Sequence, residues 1–276
     1  MKLAYICTNY NNSHYTVAAI ESLAANSGHE LLAIVVDNAS SEAERAVLHP
    51  LSTRWPWILL IESPINTGYF GGLNLGLREL ATRRPDIEWV VAGNNDLEFP
   101  ADFCNALQGL VPALNRHAVV SPDVVTLDGE HQNPHVISHI SAFRELMYDL
   151  YFANYHLGRV IKRIARKLPA LSERDDEQHW RIGRYIYQGH GSCYVLGPRF
   201  LREFGELWAP TLLMSEEFFL SKQLQDAGQQ VWYEPGLRVT HRWHGSLDQL
   251  PVRQRWEIAR TAHHEYRKYV KPLPWH

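Results

Sequence analysis

The sequence predicts an α/β domain with a mostly parallel central sheet, helices on its faces and one inserted helical segment. Runs of apolar residues alternate, over the first part of the chain, with segments whose apolar side chains recur at helical spacing. The apolar runs are continuous, which is typical of parallel strands covered on both faces. In such sheets ligands bind outside the carboxyl ends of the strands.

Four strands and the helices between them follow from this pattern. The predicted strands are 2–8, 30–40, 57–63 and 87–93. A helix with apolar residues from Val17 to Ala24 follows the first strand and ends at the Asn-Ser-Gly of 26–28. "GGLNLGLRELATRR" at 71–84 predicts another helix behind glycines.

Between about 130 and 180 the chain becomes rich in histidine and charge. Strand-like sequence returns at 189–197, so we interpret this segment as an insertion within one domain that spans 1–276. The predicted parts of that domain are about 1–128, about 129–182 and about 183–276.

The composition excludes several classes of protein. With 45% apolar residues among 276, the chain can bury a large core. The formal charge of −3 is too near neutral for a dedicated nucleic-acid binder. Cys7, Cys104 and Cys193 form no C-x-x-C pair, which argues against a disulfide framework or thiolate metal site and suits a reducing cytosol. No apolar run is long enough for a signal-peptide core or a membrane span.

Polar clusters follow the predicted strand ends. They are Thr8-Asn9-Tyr10, Asp37-Asn38-Ala39-Ser40, Asn66-Thr67-Gly68 and Asn94-Asn95-Asp96. Asn, Asp, Ser and Gly favour helix N-caps and tight turns, and this structural explanation is sufficient for any single cluster. Several clusters at successive strand ends instead predict a ligand site at one edge of the sheet.

These clusters belong to a longer series of segments, namely "ICTNYNN", "VVDNASSE", "INTGYFGGLNLGL", "GNNDLEFP", "GHGSCYVLGPRFLREFGEL", "MSEEFFLSKQLQDAGQQVWYEP" and "VTHRWHGS". In this order they resemble the inverting glycosyltransferases of family 2, which have a GT-A fold, and in particular the rhamnosyltransferase-like members. The resemblance implies transfer of a sugar from a UDP- or dTDP-linked donor, such as dTDP-rhamnose, to a hydroxyl of a bacterial-type surface glycan or lipid-linked acceptor. It implies that 1–128 bind the donor and that 183–276 hold the catalytic and acceptor residues.

Asp96 is the predicted metal ligand, since it matches the last acid of the family's Asp-x-Asp motif. The resemblance implies a divalent Mg²⁺ or Mn²⁺ ion there, which would neutralise the departing diphosphate. Asn94 replaces the first acid and removes one negative charge. The structural alternative is that Asp96 caps a helix near Ala101 or turns the chain before Pro100.

His241 is the second predicted metal ligand, because the family often has a histidine at this position. His244 is a weaker candidate. The pair is spaced for neither a zincin helix nor a zinc finger, and a lone histidine is usually structural.

The resemblance also assigns residues to the nucleotide-sugar pocket. They are Thr8, Asn9, Asp37, Asn38, Gly68, Gly72, Asn74, Asn95 and Asp96. Asp37 would accept a hydrogen bond from a uracil or thymine N–H, unless it only caps a helix near Ser41. Gly68, Gly71 and Gly72 would let the backbone approach the nucleotide, although their spacing is not that of a dinucleotide-binding motif.

Glu216 and Glu217 precede a predicted helix closed by Gly228. Two acids there are favoured by the helix dipole alone. Inverting transfer also needs a base that removes the acceptor's proton. The family's second acid is the base, which corresponds to Glu217, and Glu216 is the alternative.

Two other functions stay open. A sugar-phosphate nucleotidyltransferase would also use such a sheet, but its glycine- and lysine-rich phosphate loop is absent between 5 and 30. A catalytically degenerate glycan-binding or scaffold protein is compatible with Asn94.

The segment 158–171 predicts an amphipathic helix. Arg159, Lys162, Arg163, Arg166 and Lys167 recur on one face, opposite Val160, Ile161, Ile164, Ala165 and Leu168. Such a helix can pack its apolar stripe on the domain, or it can lie in a membrane interface. The second alternative predicts peripheral attachment at the cytoplasmic face of a membrane, where family members build lipid-linked glycans.

Overall fold

The computed structural model describes residues 1–165, 167, 176–242 and 251–270. Its strands are β1 (Lys2–Asn9), β2 (Glu30–Asn38), β3 (Ile58–Ser63), β4 (Val90–Asn94), β5 (Leu97–Glu98), β6 (Val119–Thr126), β7 (Arg184–Ile186), β8 (Cys193–Leu196) and β9 (Val231–His241). Its helices are α1 (Ser13–Ala24), α2 (Glu42–Arg54), α3 (Tyr69–Arg83), α4 (Phe103–Leu114), α5 (Ala142–Ala153), α6 (Tyr155–Ala165), α7 (Pro198–Glu203), α8 (Glu216–Asp226) and α9 (Val252–Tyr266). The predicted strands and helices of the first part are confirmed within a few residues at their ends.

The described strands form one mixed sheet in the order β3-β2-β1-β4-β8-β6-β9-β5, with β7 also paired to β9. The half formed by β3, β2, β1 and β4 is parallel, as the continuous apolar runs predict. β8 runs antiparallel between β4 and β6, whereas β6 and β9 are parallel to each other. The α/β prediction is therefore confirmed, with the antiparallel strands confined to the second half.

Helices cover both faces of the sheet. Along β1, Tyr5 and Cys7 point to the core shared with Ile20 of α1, while Ala4 and Ile6 point to the opposite core. This alternation follows from the two-residue period of a strand. Because both faces of β1 are buried, its polar side chains lie at its carboxyl end. This edge of the sheet is therefore where a ligand can bind.

The segment between β6 and β7 contains α5 and α6, and both flanking strands belong to the same sheet. Ion pairs and hydrogen bonds join α5 to the C-terminal helix α9. Arg267 lies 2.6 Å from Asp149 and 3.1 Å from Glu145, and His263 lies 2.9 Å from Asp149. The division of the chain at about 128 and 182 stays a prediction.

Within the described residues, none of the helices combines the length and the apolar character that a membrane span requires.

Candidate active site

The carboxyl ends of β1, β2 and β4 lie side by side. The strand register pairs Thr8 with Asn94 and Asn9 with Asp37. A cavity of about 420 Å³ opens beyond these ends. Its lining includes Thr8, Asn38, Gly68, Asn95, Asp96, Glu216 and Glu217, together with Tyr10, Asn12, Asn66, Tyr69, Asn94, His190 and Met214. The structure thus brings most of the predicted site residues to one place, although they are far apart in the sequence.

Asn9 and Asp37 lie beneath this cavity rather than in its wall. Both are fully buried. The amide nitrogen of Asn9 donates to Asp37 Oδ1 at 3.0 Å, and the backbone nitrogen of Ser40 donates to Asp37 Oδ2 at 3.1 Å. Because both carboxylate oxygens of Asp37 accept from the protein, a nucleobase contact for Asp37 stays a prediction without support from this geometry.

The same buried network holds Asn95. Its amide nitrogen donates to Asn12 Oδ1 and to Thr16 Oγ1, each at 2.8 Å. Thr16 in turn donates to Asn9 Oδ1 at 2.8 Å. Hydrogen-bonded networks of this kind fix side-chain orientation in a low-dielectric interior. The floor of the cavity is therefore rigid on the side of β1 and β4.

Asn38 ties the end of β2 to the glycine loop before α3. Its Oδ1 accepts from the backbone nitrogen of Thr67 at 2.8 Å, and its Nδ2 donates to the carbonyl of Gly68 at 2.9 Å. Gly68 has φ +81°, and a methyl group added there would lie 2.7 Å from the carbonyl carbon of Leu212. Only glycine combines that backbone conformation with so close an approach.

Gly72 and Asn74 have packing roles. A methyl group on Gly72 would overlap the Thr8 side chain, so this glycine lets α3 pack on β1. The Asn74 side chain exchanges two 2.8 Å hydrogen bonds with the backbone of Leu207. Neither residue lines the cavity, and for both a nucleotide contact stays a prediction that this placement does not support.

Asp96 and His241 meet at the metal site predicted from the sequence. His241 Nε2 lies 3.3 Å from Asp96 Oδ1. His241 Nδ1 lies 2.8 Å from Gln132 Oε1, an amide oxygen that accepts, so the tautomer with its proton on Nδ1 donates to Gln132 and directs the Nε2 lone pair toward Asp96. A hydrogen bond that orients the second ring nitrogen is common among metal-ligating histidines.

Asn94 is part of the same arrangement. Its Nδ2 lies 3.2 Å from His241 Nε2 and can donate to it. An aspartate at this position would lack that donor. The replacement of the family's first acid is thus accommodated by a contact with histidine. Asp96 does not cap α4, because the N-cap residue of that helix is Asp102. The other predicted histidine, His244, falls outside the described residues.

Glu216 and Glu217 begin α8 and lie in different surroundings. Glu216 is buried, and its Oε1 accepts from the backbone nitrogen of Met214 at 3.0 Å. Burial, together with the charge of Glu217, raises the pKa of Glu216 to about 8. Glu217 is half-buried, and its Oε1 accepts from the backbone nitrogen of Gly191 at 3.2 Å.

The turn that carries these acids has an unusual backbone. Met214 and Ser215 have φ values of +77° and +66°, a region that side chains other than those of Asn and Asp rarely adopt. Strain of this kind persists where the surrounding structure determines the conformation, and it is frequent at functional sites.

His190 was not singled out from the sequence, yet it lines the cavity beside Asp96. Its Nδ1 lies 2.8 Å from Ser192 Oγ, and its ring centroid lies 5.7 Å from that of His241. Burial and then the nearby histidines lower its pKa well below the usual value, so the ring is neutral. The signal that could have found it is "GHGS", whose Gly191 leaves room for the Glu217 carboxylate.

In the described part of the chain, no group of three or more His, Cys, Asp or Glu side chains is arranged to hold a metal. Asp96 and His241 supply two protein donors. The remaining ligands of a cation would come from substrate oxygens and water, as is usual where metal ions bind phosphates.

The fold and this strand-edge site define the chain as a member of the GT-A class of glycosyltransferase folds. Three solved structures show the same fold at low sequence identity. A mannosyltransferase from Pyrobaculum calidifontis, solved with GDP-Man and Mn²⁺, matches with a TM-score of 0.58 and 16% identity over 99% of this chain and 66% of that chain. S. aureus TarS 1–349 matches with a TM-score of 0.55 and 12% identity over 88% of this chain and 60% of that one. GalNAc-T7 with UDP, GalNAc and Mn²⁺ matches with a TM-score of 0.59 and 11% identity over 89% of this chain and 44% of that one.

The model of the family "Glycosyl transferase family 2" matches residues 5–171, which is more than half of the chain. The chain therefore belongs to glycosyl transferase family 2. It spans between 44% and 66% of the length of the three structures above. Among curated protein sequences none matches significantly.

Proposed function

We propose that this protein is an inverting glycosyltransferase that moves a sugar from a nucleoside-diphosphate donor to an acceptor hydroxyl. The observation that carries the proposal is the cavity shared by Asp96 and the acid pair Glu216 and Glu217. A single displacement with inversion needs a group that stabilises the departing diphosphate and a base for the incoming hydroxyl. Both kinds of group line one cavity large enough for part of a nucleotide sugar.

Asp96 and His241 are the residues that would hold a divalent cation. Their donor set of one carboxylate oxygen and one imidazole nitrogen fits Mn²⁺ better than Mg²⁺, because Mg²⁺ prefers oxygen ligands only. When bound, the cation supplies charge neutralisation for the diphosphate that leaves. The Gln132 contact orients His241 for this role.

Glu217 is the base in this proposal. Its Oε1 is held by Gly191, and its Oε2 has no hydrogen-bond partner among the described residues. Burial and the neighbouring carboxylate raise the pKa of Glu216, which favours its protonated form and makes Glu217 the proposed base. The two acids thus take different roles, with Glu216 holding the strained turn through Met214.

The donor is proposed to be a UDP- or dTDP-sugar, with dTDP-rhamnose as the specific candidate from the sequence. Structures of the same fold contain GDP-Man in one protein and UDP-GlcNAc in another. The donors of these proteins differ, so the screen below includes guanosine nucleotides as well. The proposed acceptor is a hydroxyl of a surface glycan or of a lipid-linked saccharide, and the proposed location is the cytoplasm.

A thermal-shift screen with UDP-, dTDP- and GDP-sugars, each with and without Mn²⁺, tests the donor. A ligand that binds only the native state at a hundred times its Kd stabilises it by about 2.7 kcal/mol. We expect stabilisation by one nucleotide class and a larger shift with Mn²⁺. No shift with any nucleotide sugar would contradict the proposal.

The metal site is tested with Asp96→Ala and with EDTA. Both should abolish donor hydrolysis and transfer, while circular dichroism of the variant stays unchanged. Glu98→Gln, which changes a partly exposed acid two residues away, is the matched control and should keep activity. Donor binding without hydrolysis or transfer by the wild type would favour the glycan-binding or scaffold alternative.

A further inference from the structure

The helix α5 is packed with its charged side inward. Glu145 and Asp149 face α9, where they pair with Arg267 and His263. Phe143, Leu146 and Leu150 occupy the opposite side and are between 41% and 59% exposed. Their spacing of three and then four residues makes one apolar stripe that no described element covers.

The next helix, α6, also carries an exposed apolar stripe. Leu157, Val160 and Ile164 have the same spacing and are between 41% and 53% exposed. Gly158 is the buried residue of α6, where a methyl group would lie 2.6 Å from the carbonyl oxygen of Tyr151. Leu157, Val160 and Ile164 are therefore left uncovered, whereas Ile161 and Ala165 beside Gly158 are partly buried, and the two alternatives drawn from the sequence for this helix stay predictions.

Basic side chains share the solvent-exposed side of α6 with this stripe. Arg159, Lys162 and Arg163 are exposed, and none of them forms an ion pair with a described residue. No acid occurs between Tyr155 and Ala165. Lys167 is also exposed, while Arg166 and 168–171 of the predicted helix fall outside the described residues.

The exposed apolar residues of both helices and the basic residues of α6 define a surface that we name the α5–α6 face. Large exposed apolar patches on soluble proteins mark interaction sites. A basic patch on a chain with a formal charge of −3 selects an anionic partner. An anionic lipid bilayer offers both complements at once, since the stripe can enter the acyl boundary while the basic residues meet headgroups.

The helix α9 lies between the turn that joins α5 to α6 and the catalytic cavity. Gln254 and Ile258 of α9 line the cavity. Trp256 and Arg260 of the same helix line a separate cleft of about 570 Å³ against the α5–α6 turn, together with Tyr155. One helix, about 10 Å across, therefore separates the catalytic cavity from the cleft at the α5–α6 turn.

We propose that the α5–α6 face is a docking surface for anionic lipid bilayers and that it places the catalytic cavity next to the membrane. The stripe of Leu157, Val160 and Ile164 inserts at the headgroup boundary. Arg159, Lys162 and Arg163 provide the salt-sensitive attraction. The docking surface itself does not depend on the proposed transferase activity.

Flotation with phosphatidylglycerol–phosphatidylcholine vesicles tests the proposal. Wild type should float at low salt, should float at least fivefold less at high salt, and should stay in solution with phosphatidylcholine alone. A triple variant, Arg159→Gln with Lys162→Gln and Arg163→Gln, should lose flotation. Val160→Ser with Ile164→Ser should lose it as well, with circular dichroism unchanged in both.

Matched controls distinguish an effect of the α5–α6 face from an effect of net charge or of exposed apolar residues in general. Arg54→Gln with Arg83→Gln and Arg202→Gln changes the charge equally at exposed positions elsewhere, and Val47→Ser with Ile65→Ser removes exposed apolar side chains elsewhere. Both controls should float like the wild type. Equal flotation of the face variants and the controls would overturn the proposal. Analytical ultracentrifugation gives a second test. If the wild type is a dimer and Val160→Ser with Ile164→Ser makes it a monomer, a second copy of the chain covers the face and the proposal is overturned.

Discussion

Glu216 and Glu217 are neighbours in the sequence with different surroundings, and burial raises the pKa of Glu216. Since glutamine resembles a protonated glutamate, Glu216→Gln should change turnover only slightly at neutral pH. Glu217→Gln should retain donor binding and lower turnover about a hundredfold or more, as expected for a missing general base. Steady-state kinetics at pH 7, with donor binding measured separately, checks both variants. A larger loss in Glu216→Gln than in Glu217→Gln would reverse the assignment.

The raised pKa of Glu216 also predicts a pH-dependent stability. Between its ordinary value of 4.5 and about 8, the folded state holds a proton that the unfolded state has released. The contribution of this group to stability is therefore fully present below pH 4.5 and is lost as the pH rises toward 8. Urea unfolding at several pH values should show this fall for wild type, and Glu216→Gln should flatten it. Parallel curves for the two proteins would show that Glu216 is ionised in the folded state at neutral pH.

At the scale of elements, the glycine loop before α3 is held against the turn before α8. Tyr69 donates from its backbone nitrogen to the carbonyl of Leu212 at 3.0 Å, and Gly68 fits beneath the same group. Gly68→Ala should destabilise the protein and weaken donor binding, because the added methyl group must displace the backbone of Leu212, which lines the cavity. Urea unfolding and the thermal shift with donor measure the two effects.

Gly28 provides the control for this substitution. It has nearly the same φ of +82°, but an added methyl group would meet nothing within 4 Å. Gly28→Ala should therefore cost only the backbone strain, about 1–2 kcal/mol, and leave donor binding unchanged. The additional loss of unfolding free energy in Gly68→Ala, beyond that in Gly28→Ala, measures the Leu212 contact. Equal losses would show that the loop rearranges without cost.

At the scale of the whole molecule, the insertion and the C-terminal helix are joined by a charged cluster. Arg267 reaches Glu145 and Asp149 with only 15% of its side chain exposed. Arg267→Gln leaves Glu145 buried without its cation, which should cost about 3 kcal/mol in urea unfolding. The exposed pair of Arg253 and Glu257 is the comparison, and Arg253→Gln should cost at most about 0.5 kcal/mol. Equal costs would mean that solvent reaches the cluster.

The first half of the fold could be predicted because its signals are local. Continuous apolar runs such as that of β2 have few alternatives to a buried strand, and polar residues after them mark the edge where ligands bind. The grouping of Thr8, Asn38 and Asp96 follows from the parallel order of those strands. The resemblance to a family added Glu217 and His241, which lie more than a hundred residues further along the chain.

The direction in which a side chain points could not be predicted, because it depends on partners distant in sequence. Asp37 turns into a buried network because Asn9 and Ser40 meet it there, and Asn74 is taken by the backbone of Leu207. His190 enters the cavity only because β8 lies beside β4.

By itself the sequence determined the fold class, the family and the edge of the sheet that carries the site, since these depend on the order of residue types along the chain. The tertiary structure decided which polar groups face the cavity and which lie under it, which of two adjacent acids is buried, and which side of α5 faces the domain. The apolar spacing of α5 and α6 predicts an amphipathic helix in either orientation. Arg267 and His263, more than a hundred residues away, pair with the acids of α5, and they therefore turn its apolar stripe outward.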